Sequence, residues 1–180
     1  GNTVNYNGAA QTAKVTTYNN LALSGSSVKT FATTPTVNSI LSMEGIATVT
    51  VTSGVITYGA NATLQYNTAT ARTASSEEWI TPFAASGGVV IANTGAISPN
   101  AAKVFNAGTA LTINSGATLN EAGIQVTMSG SSTLVVNGTL DFSSSTGKIQ
   151  SGTTGTTVLT MGANGLIRTV DQDGLGPATN

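Results

Sequence analysis

The strongest constraint in this chain is a pattern that occurs twice, end to end, between Leu111 and Val136. In Leu111-Thr112-Ile113-Asn114-Ser115-Gly116-Ala117-Thr118-Leu119 an alternating strand meets a Gly turn and resumes at an apolar residue, and Val126-Thr127-Met128-Ser129-Gly130-Ser131-Ser132-Thr133-Leu134 repeats it. A third copy runs from Leu159 to Leu166, and a looser one from Ile56 to Leu64. Self-similarity of this kind marks units that cannot bury an apolar face alone and must stack on their neighbours.

From Lys103 onward, turn glycines recur at Gly108, Gly116, Gly123, Gly130, Gly138, Gly147, Gly152 and Gly155. Such gaps fit strands of about five residues joined by tight corners. Three sides make a coil of roughly 20 to 24 residues, hence about seven to nine coils, each adding about 4.8 Å of axial length. Thr48-Val49-Thr50-Val51 shows the strand signal plainly, with apolar residues on one face and a Thr row on the other. No stretch carries a helical period with caps. The expected fold is all-β, a right-handed parallel β-helix (β-solenoid) with short strands and Gly/Asn turns. An antiparallel β-sandwich is the alternative, since it too uses short strands and Gly-rich turns. Asn114 and Asn137, both beside turns, are candidates for a stacked hydrogen-bond ladder.

The chain reads as a single solenoid over 1–180. It divides into N-terminal coils at 1–68, an irregular segment at 69–100 around Trp79, the most regular coils at 101–171, and a tail or linker at 172–180. The irregular segment holds two of the four glutamates and the only tryptophan. The first residue is Gly1 rather than Met, which fits a processed product or an excised repeat.

Charge narrows the function. Only 7% of residues are charged, against about 25% in an ordinary domain. A net charge of -1 supplies no basic patch for nucleic acid or for an anionic membrane. The longest apolar run, Val89 to Ala92, is far short of the roughly 20 residues that span a bilayer. With no Cys and no His, thiolate and imidazole chemistry are excluded. The expectation is a protein that is not an enzyme, needs no cofactor, binds no nucleic acid and does not insert in a membrane.

Individual candidates are few. Asp171-Gln172-Asp173-Gly174 resembles the opening of a calcium loop, but the later Glu is missing, and a solvated tail is the stronger reading. Glu77 and Glu78 would be glycosidase carboxylates only if they converged, and neighbours on a strand point to opposite faces. Glu121 and Asp141 are the other acidic candidates. Lys148 beside an Asn or Asp could form an intramolecular crosslink. Trp79 is a possible ligand-facing aromatic, as are Tyr6, Tyr18, Tyr58 and Tyr66 if they face outward, although large aromatics usually bury most of their area. Phe105, Ile113, Met128, Val136 and Leu159 are expected in the core.

Thr3-Val4-Asn5-Tyr6-Asn7-Gly8-Ala9-Ala10-Gln11, followed by Thr17-Tyr18-Asn19-Asn20-Leu21-Ala22-Leu23-Ser24-Gly25, resembles the VxYNGxxQ…YNNLxLSG repeat of large secreted surface proteins of gliding Gram-negative bacteria. The Glu78-Trp79 segment and the strings GTALTINSGATL and STLVVNGTLDF are similar to the same proteins. The resemblance implies export to the cell surface, often by the type IX route, β-solenoid folding, and an adhesive or structural role.

These readings converge on an extracellular structural protein that assembles head to tail into a surface fibre or adhesive filament, because a solenoid ends in coils with unpaired backbone groups. The expected assembly residues are Thr3, Val4, Asn5 and Tyr6 at one end and Leu166, Ile167, Thr169 and Val170 at the other. The expected partners are identical subunits or adjacent repeats, with surface polysaccharide as a further one. The alternative is a carbohydrate-binding or spacer module of a large cell-surface adhesin.

Overall fold

The computed structural model describes residues 1–152 and 156–170. Among them are 20 strands and no helix, and every strand pairing is parallel. The chain is a β-solenoid of about seven turns. The antiparallel sandwich is thereby excluded. A sandwich needs hairpins between sequence neighbours, whereas here each strand pairs with one a full coil away.

One sheet runs the length of the solenoid and acts as its spine. It contains β1 (Thr3–Tyr6), β3 (Thr17–Leu23), β5 (Thr36–Glu44), β8 (Thr63–Asn67), β10 (Gly88–Ile91), β13 (Ala110–Ile113), β16 (Thr133–Val136) and β19 (Val158–Met161), in that order. The short β7 (Thr57–Tyr58) pairs with the start of β5. A second side begins as β2 (Gln11–Thr12), β4 (Val28–Phe31) and β6 (Thr48–Val51). After a break it resumes as β9 (Arg72–Thr73), β11 (Ala96–Ser98), β14 (Thr118–Asn120), β17 (Thr139–Phe142) and β20 (Leu166–Thr169). A third side, β12 (Lys103–Phe105), β15 (Gln125–Met128) and β18 (Lys148–Ser151), exists only in the later coils.

Alternation along the spine builds the core. Leu21, Leu41, Leu64, Val89 and Leu111 stack in one column, and Leu23, Met43, Tyr66, Ile91, Ile113 and Val136 in the next, all fully buried. Each such aliphatic residue contributes about 1.5 to 3 kcal/mol through burial. The register sets the coil length. Successive spine partners Val4, Leu21, Leu41, Leu64, Val89, Leu111, Leu134 and Leu159 are 17, 20, 23, 25, 22, 23 and 25 residues apart.

The early coils are therefore shorter, and the reason is visible in the spine. β3 and β5 run long, with a register shift between Tyr18 and Asn20, and their first residues do the work that the third side does later. Corner geometry accounts for the turn glycines. Gly45 sits at φ +58 with a Cβ position only 2.7 Å from the Gly25 carbonyl oxygen, so a side chain would strike the coil below.

The stretch without a named strand between β9 and β10 covers 74–87, so the irregular region is narrower than 69–100; Gly88–Ile91 and Ala96–Ser98 are ordinary strands. One side-chain amide bond, Asn93 Nδ2 to Asn67 Oδ1 at 3.2 Å, joins neighbouring corners of the spine, on residues other than the expected Asn114 and Asn137.

Candidate functional site

Two regions carry chemistry that a plain stack of Leu and Val does not need: a buried polar plug where the coil widens, and the two ends of the stack.

The plug is built from β9 and the 74–87 stretch. Glu78 is fully buried, and its Oε1 accepts from Arg72 Nη2 at 2.8 Å, from the Ser75 amide at 3.0 Å and from the Tyr66 hydroxyl at 3.4 Å. The Ser75 hydroxyl donates to Glu78 Oε2. Arg72 also donates from Nη1 to the Ala47 carbonyl at 2.6 Å, and its guanidinium lies 5.5 Å from the Tyr66 ring centroid. One coil on, the buried Lys103 donates to the Trp79 carbonyl at 2.6 Å and to Asn100 Oδ1 at 2.9 Å. Burial lowers the Lys103 pKa, and the Glu78 carboxylate opposes that shift. Burial, then the charge of Glu78, pushes the Tyr58 and Tyr66 phenols well above their usual range.

Around the plug the aromatics interlock. Ring centroids are 5.9 Å apart for Tyr66 and Trp79, 6.2 Å for Trp79 and Phe105, 6.2 Å for Phe83 and Phe105, and 5.0 Å for Tyr58 and Phe83. Trp79 is 0% exposed, so it is not a ligand-facing aromatic. The widening coil has a large interior to fill, and an indole between two rings fills it. Tyr18 and Tyr66 are buried too, and Tyr6 and Tyr58 are half-buried against the core. The outward aromatic row that would stack on sugars does not form.

In the N-terminal coils polar contacts tie one coil to the next, while β1 itself is largely exposed. Tyr6, Tyr18 and Phe31 meet edge to face with centroids 6.4 to 6.5 Å apart. The Tyr6 and Tyr18 hydroxyls bond each other at 3.0 Å, the Lys14 amide donates to Tyr6 Oη at 2.9 Å, and Tyr18 donates to the Lys14 carbonyl. Desolvation raises the Tyr18 pKa, with further contributions from Tyr6. Lys29 is fully buried, and its ammonium donates to the Gly8, Ala9 and Ser26 carbonyls at 2.7, 2.6 and 2.8 Å. It satisfies the corner carbonyls of two coils at once.

The C-terminal end of the described chain is open. Leu134, Leu140, Phe142, Ile149, Leu159 and Ile167 line most of a cavity of about 300 Å³ at the mouth of the last coil. Val158, Leu159, Met161, Leu166 and Val170 are 44–56% exposed around it. Leu159, expected in the core by its position in the repeat, is thus half out of it, because no further coil covers it among the described residues.

The expected assembly residues do lie at opposite ends, but on different sides. Thr3, Val4, Asn5 and Tyr6 form β1 on the spine, while Leu166, Ile167 and Thr169 belong to β20 on the second side, with Val170 just beyond. The strand at the far end of the spine is β19, so continuation of the spine from β1 involves Val158–Met161.

Among the acidic candidates, Glu77 is half-buried and offers its carbonyl to the Ile56 amide at 3.0 Å, while Glu78 is consumed by the plug. Asp141 pairs with Arg168 at 3.2 Å on the surface. Lys148 is exposed on β18. Glu121 is fully buried at the corner after β14, with neither carboxylate oxygen hydrogen-bonded, and burial raises its pKa to about 8. Among the described residues no three acidic side chains converge on a metal-sized site. Asp171 and Asp173 lie outside the described residues.

Sequence reasoning missed Lys29, Lys103 and the buried role of Glu78. Their one sequence signal is an isolated charge at an inward position of a strand or beside one, as in Val28-Lys29-Thr30-Phe31 and Lys103-Val104-Phe105. Compared with known proteins, the chain matches no family model, and no curated protein and no solved structure matches it.

Proposed function

We propose that this chain is a non-enzymatic, extracellular structural protein, a β-solenoid subunit that assembles head to tail into a surface fibre or adhesive filament. The observation that carries this reading is the open last coil, in which β18 and β19 each have one edge with no strand partner among the described residues, beside an apolar mouth of about 300 Å³. A coil in that state buries apolar surface and satisfies backbone groups by accepting another coil. At the other end β1 offers a spine edge of the same strand direction. Setting β1 of a second copy on β19 places Val4 over Leu159 and Tyr6 over Met161, which prolongs both core columns. A heterologous contact of that kind does not close, so it propagates. The extracellular setting rests on the resemblance to secreted surface repeats.

Sedimentation velocity over a range of concentrations, on the full chain and on Leu159→Lys, tests the reading. Leu159 is 51% exposed, so the substitution leaves the fold intact while placing a charge in the contact. The expected result is growth of large species with concentration in the parent chain and their loss in the variant. A chain that remains monomeric throughout, or a variant that assembles equally well, would contradict it.

A further inference from the structure

The outer face of the spine is not flat in its N-terminal half. On β3 and β5 the residues Leu21, Leu23, Leu41 and Met43 point inward, which turns Ala22 and Ser42 outward. Outward residues of a solenoid are normally solvated, yet Ala22 is 6% exposed and Ser42 is 8% exposed. They are small side chains at the bottom of a trough, and they are cross-strand partners.

The register shows how the trough is walled. Asn20 and Ile40 are partners two residues before the floor, and Glu44 and Asn67 are partners two residues beyond it. Gln65 stands beside Ser42 and closes the row on the next strand. Together with Thr3 these residues enclose a cavity of about 220 Å³ on the outside of the sheet. The two walls are four residues apart, or about 13 Å along the strand before their side chains narrow the gap. The space suits a single ring rather than a drug-sized ligand, whose pockets run from about 300 Å³ upward.

The lining chemistry is lopsided. Glu44 is an acceptor-only carboxylate whose contact in the structure is the Ser42 hydroxyl at 2.7 Å. Asn20 Oδ1 is buried and has no hydrogen-bond partner. Asn67 and Gln65 add amides that both donate and accept. Ala22 and Ile40 supply an apolar patch at the floor and one wall. A ligand complementary to this set brings several hydroxyl donors and a C–H face. It carries no negative charge, which Glu44 would repel, and it is not a flat aromatic, for which the lining has no ring to stack on.

We propose that this trough is a binding site for one neutral pyranose ring, with Glu44 and Asn20 accepting from hydroxyls on opposite edges of the ring and Ala22 and Ile40 meeting the C–H face. The site lies on the solenoid flank in the first coils, with Thr3 of β1 at its rim, so a filament would display one copy per subunit. It stands independently of the assembly reading.

The test is ligand-observed saturation-transfer NMR on the full chain with the methyl pyranosides of glucose, galactose and mannose, with ammonium and arginine as charged controls. The variants are Glu44→Gln, at a half-exposed position, and Ala22→Leu, which fills the floor. At least one pyranoside is expected to bind at millimolar concentration, with affinity falling about tenfold in each variant, the size of a lost charge-assisted hydrogen bond or of a blocked ring. Thermal unfolding of both variants, unchanged within a few degrees, separates loss of the site from loss of the fold. No transfer to any pyranoside, binding that persists unchanged in both variants, or binding of ammonium and arginine alone would overturn the proposal.

Discussion

Ser151 stands one coil beyond Met128 in the corner column, and there the series of large side chains ends. That column runs through Tyr18, Val37, Tyr58, Phe83, Phe105 and Met128, each stacked on the last. With a hydroxymethyl group at the next place, the interior is left unfilled, and Ser151 lines the cavity at the open end.

Replacing Ser151 by Phe should therefore extend the column into the cavity. The expected outcome is a more stable chain, by about 1 to 2 kcal/mol in urea unfolding, since a ring is buried in space already present. The same ring occupies the mouth, so the tendency to associate at high concentration should fall. An S151F chain that unfolds earlier than the parent would show that the cavity does not accept a side chain from within.

The Glu78–Arg72 pair should behave as a buried ion pair does. Glu78→Ala leaves the Arg72 guanidinium, the Ser75 amide and hydroxyl and the Tyr66 hydroxyl without their shared acceptor. A cost of about 3 to 5 kcal/mol is expected. The double change Arg72→Leu with Glu78→Leu should cost clearly less than the two single changes added together, as the stranded charge is then gone. A double-mutant cycle in urea reads this directly, and simple additivity would argue against coupling.

Glu121 sets a pH dependence. With its pKa raised from 4.5 to about 8 by burial, the folded chain holds a proton that the unfolded chain releases, and the neutral carboxyl is what the core tolerates. Its contribution is fully favourable below pH 4.5 and is lost as pH rises toward 8. At about 1.4 kcal/mol per pKa unit, the loss is at most about 5 kcal/mol. Glu121→Gln, neutral at every pH, should flatten the stability profile between pH 5 and pH 9 and make the variant the more stable chain at the alkaline end. Parallel profiles for parent and variant in thermal unfolding would contradict the assignment.

Lys29 should be worth more than a surface lysine. Lys29→Met keeps the buried stem but removes the ammonium that donates to the Gly8, Ala9 and Ser26 carbonyls. Since three hydrogen bonds from a charged donor are lost, a loss of about 2 to 3 kcal/mol is expected. Hydrogen exchange should place it in the first two coils, with amides beyond β6 unaffected. A uniform loss of protection along the chain would mean that the N-terminal coils are not a separate local unit.

The fold was legible because its logic is local. Thr48-Val49-Thr50-Val51 shows its buried face by alternation alone, and the glycines at 108, 116, 123 and 130 all adopt positive φ at corners. Coil length was legible only in the later half, where each side has its own strand. In the first coils the long β3 and β5 merge two sides, and nothing in Tyr18-Asn19-Asn20 announces the register shift. The buried charges were hidden for a related reason. Whether Lys29 is solvated depends on the Gly8 and Ala9 carbonyls, 21 and 20 residues away in sequence, and whether Glu78 is depends on how an irregular stretch folds Arg72 and Ser75 onto it beneath Tyr66. The flank trough was equally invisible, since it exists only because Ala22 and Ser42 come into register. The position of β19 opposite β1 likewise required the strand order, because the sequence shows two ends without showing which side each strand occupies.

The central claim is that coils continue from one copy to the next, and electron cryomicroscopy of the concentrated chain tests it most directly. The account predicts fibres whose axial repeat equals one subunit, eight spine strands at about 4.8 Å or roughly 38 Å, with β1 of each copy hydrogen-bonded to β19 of the copy before it. Single particles the length of one solenoid, or fibres joined along their flanks with both ends free, would contradict it.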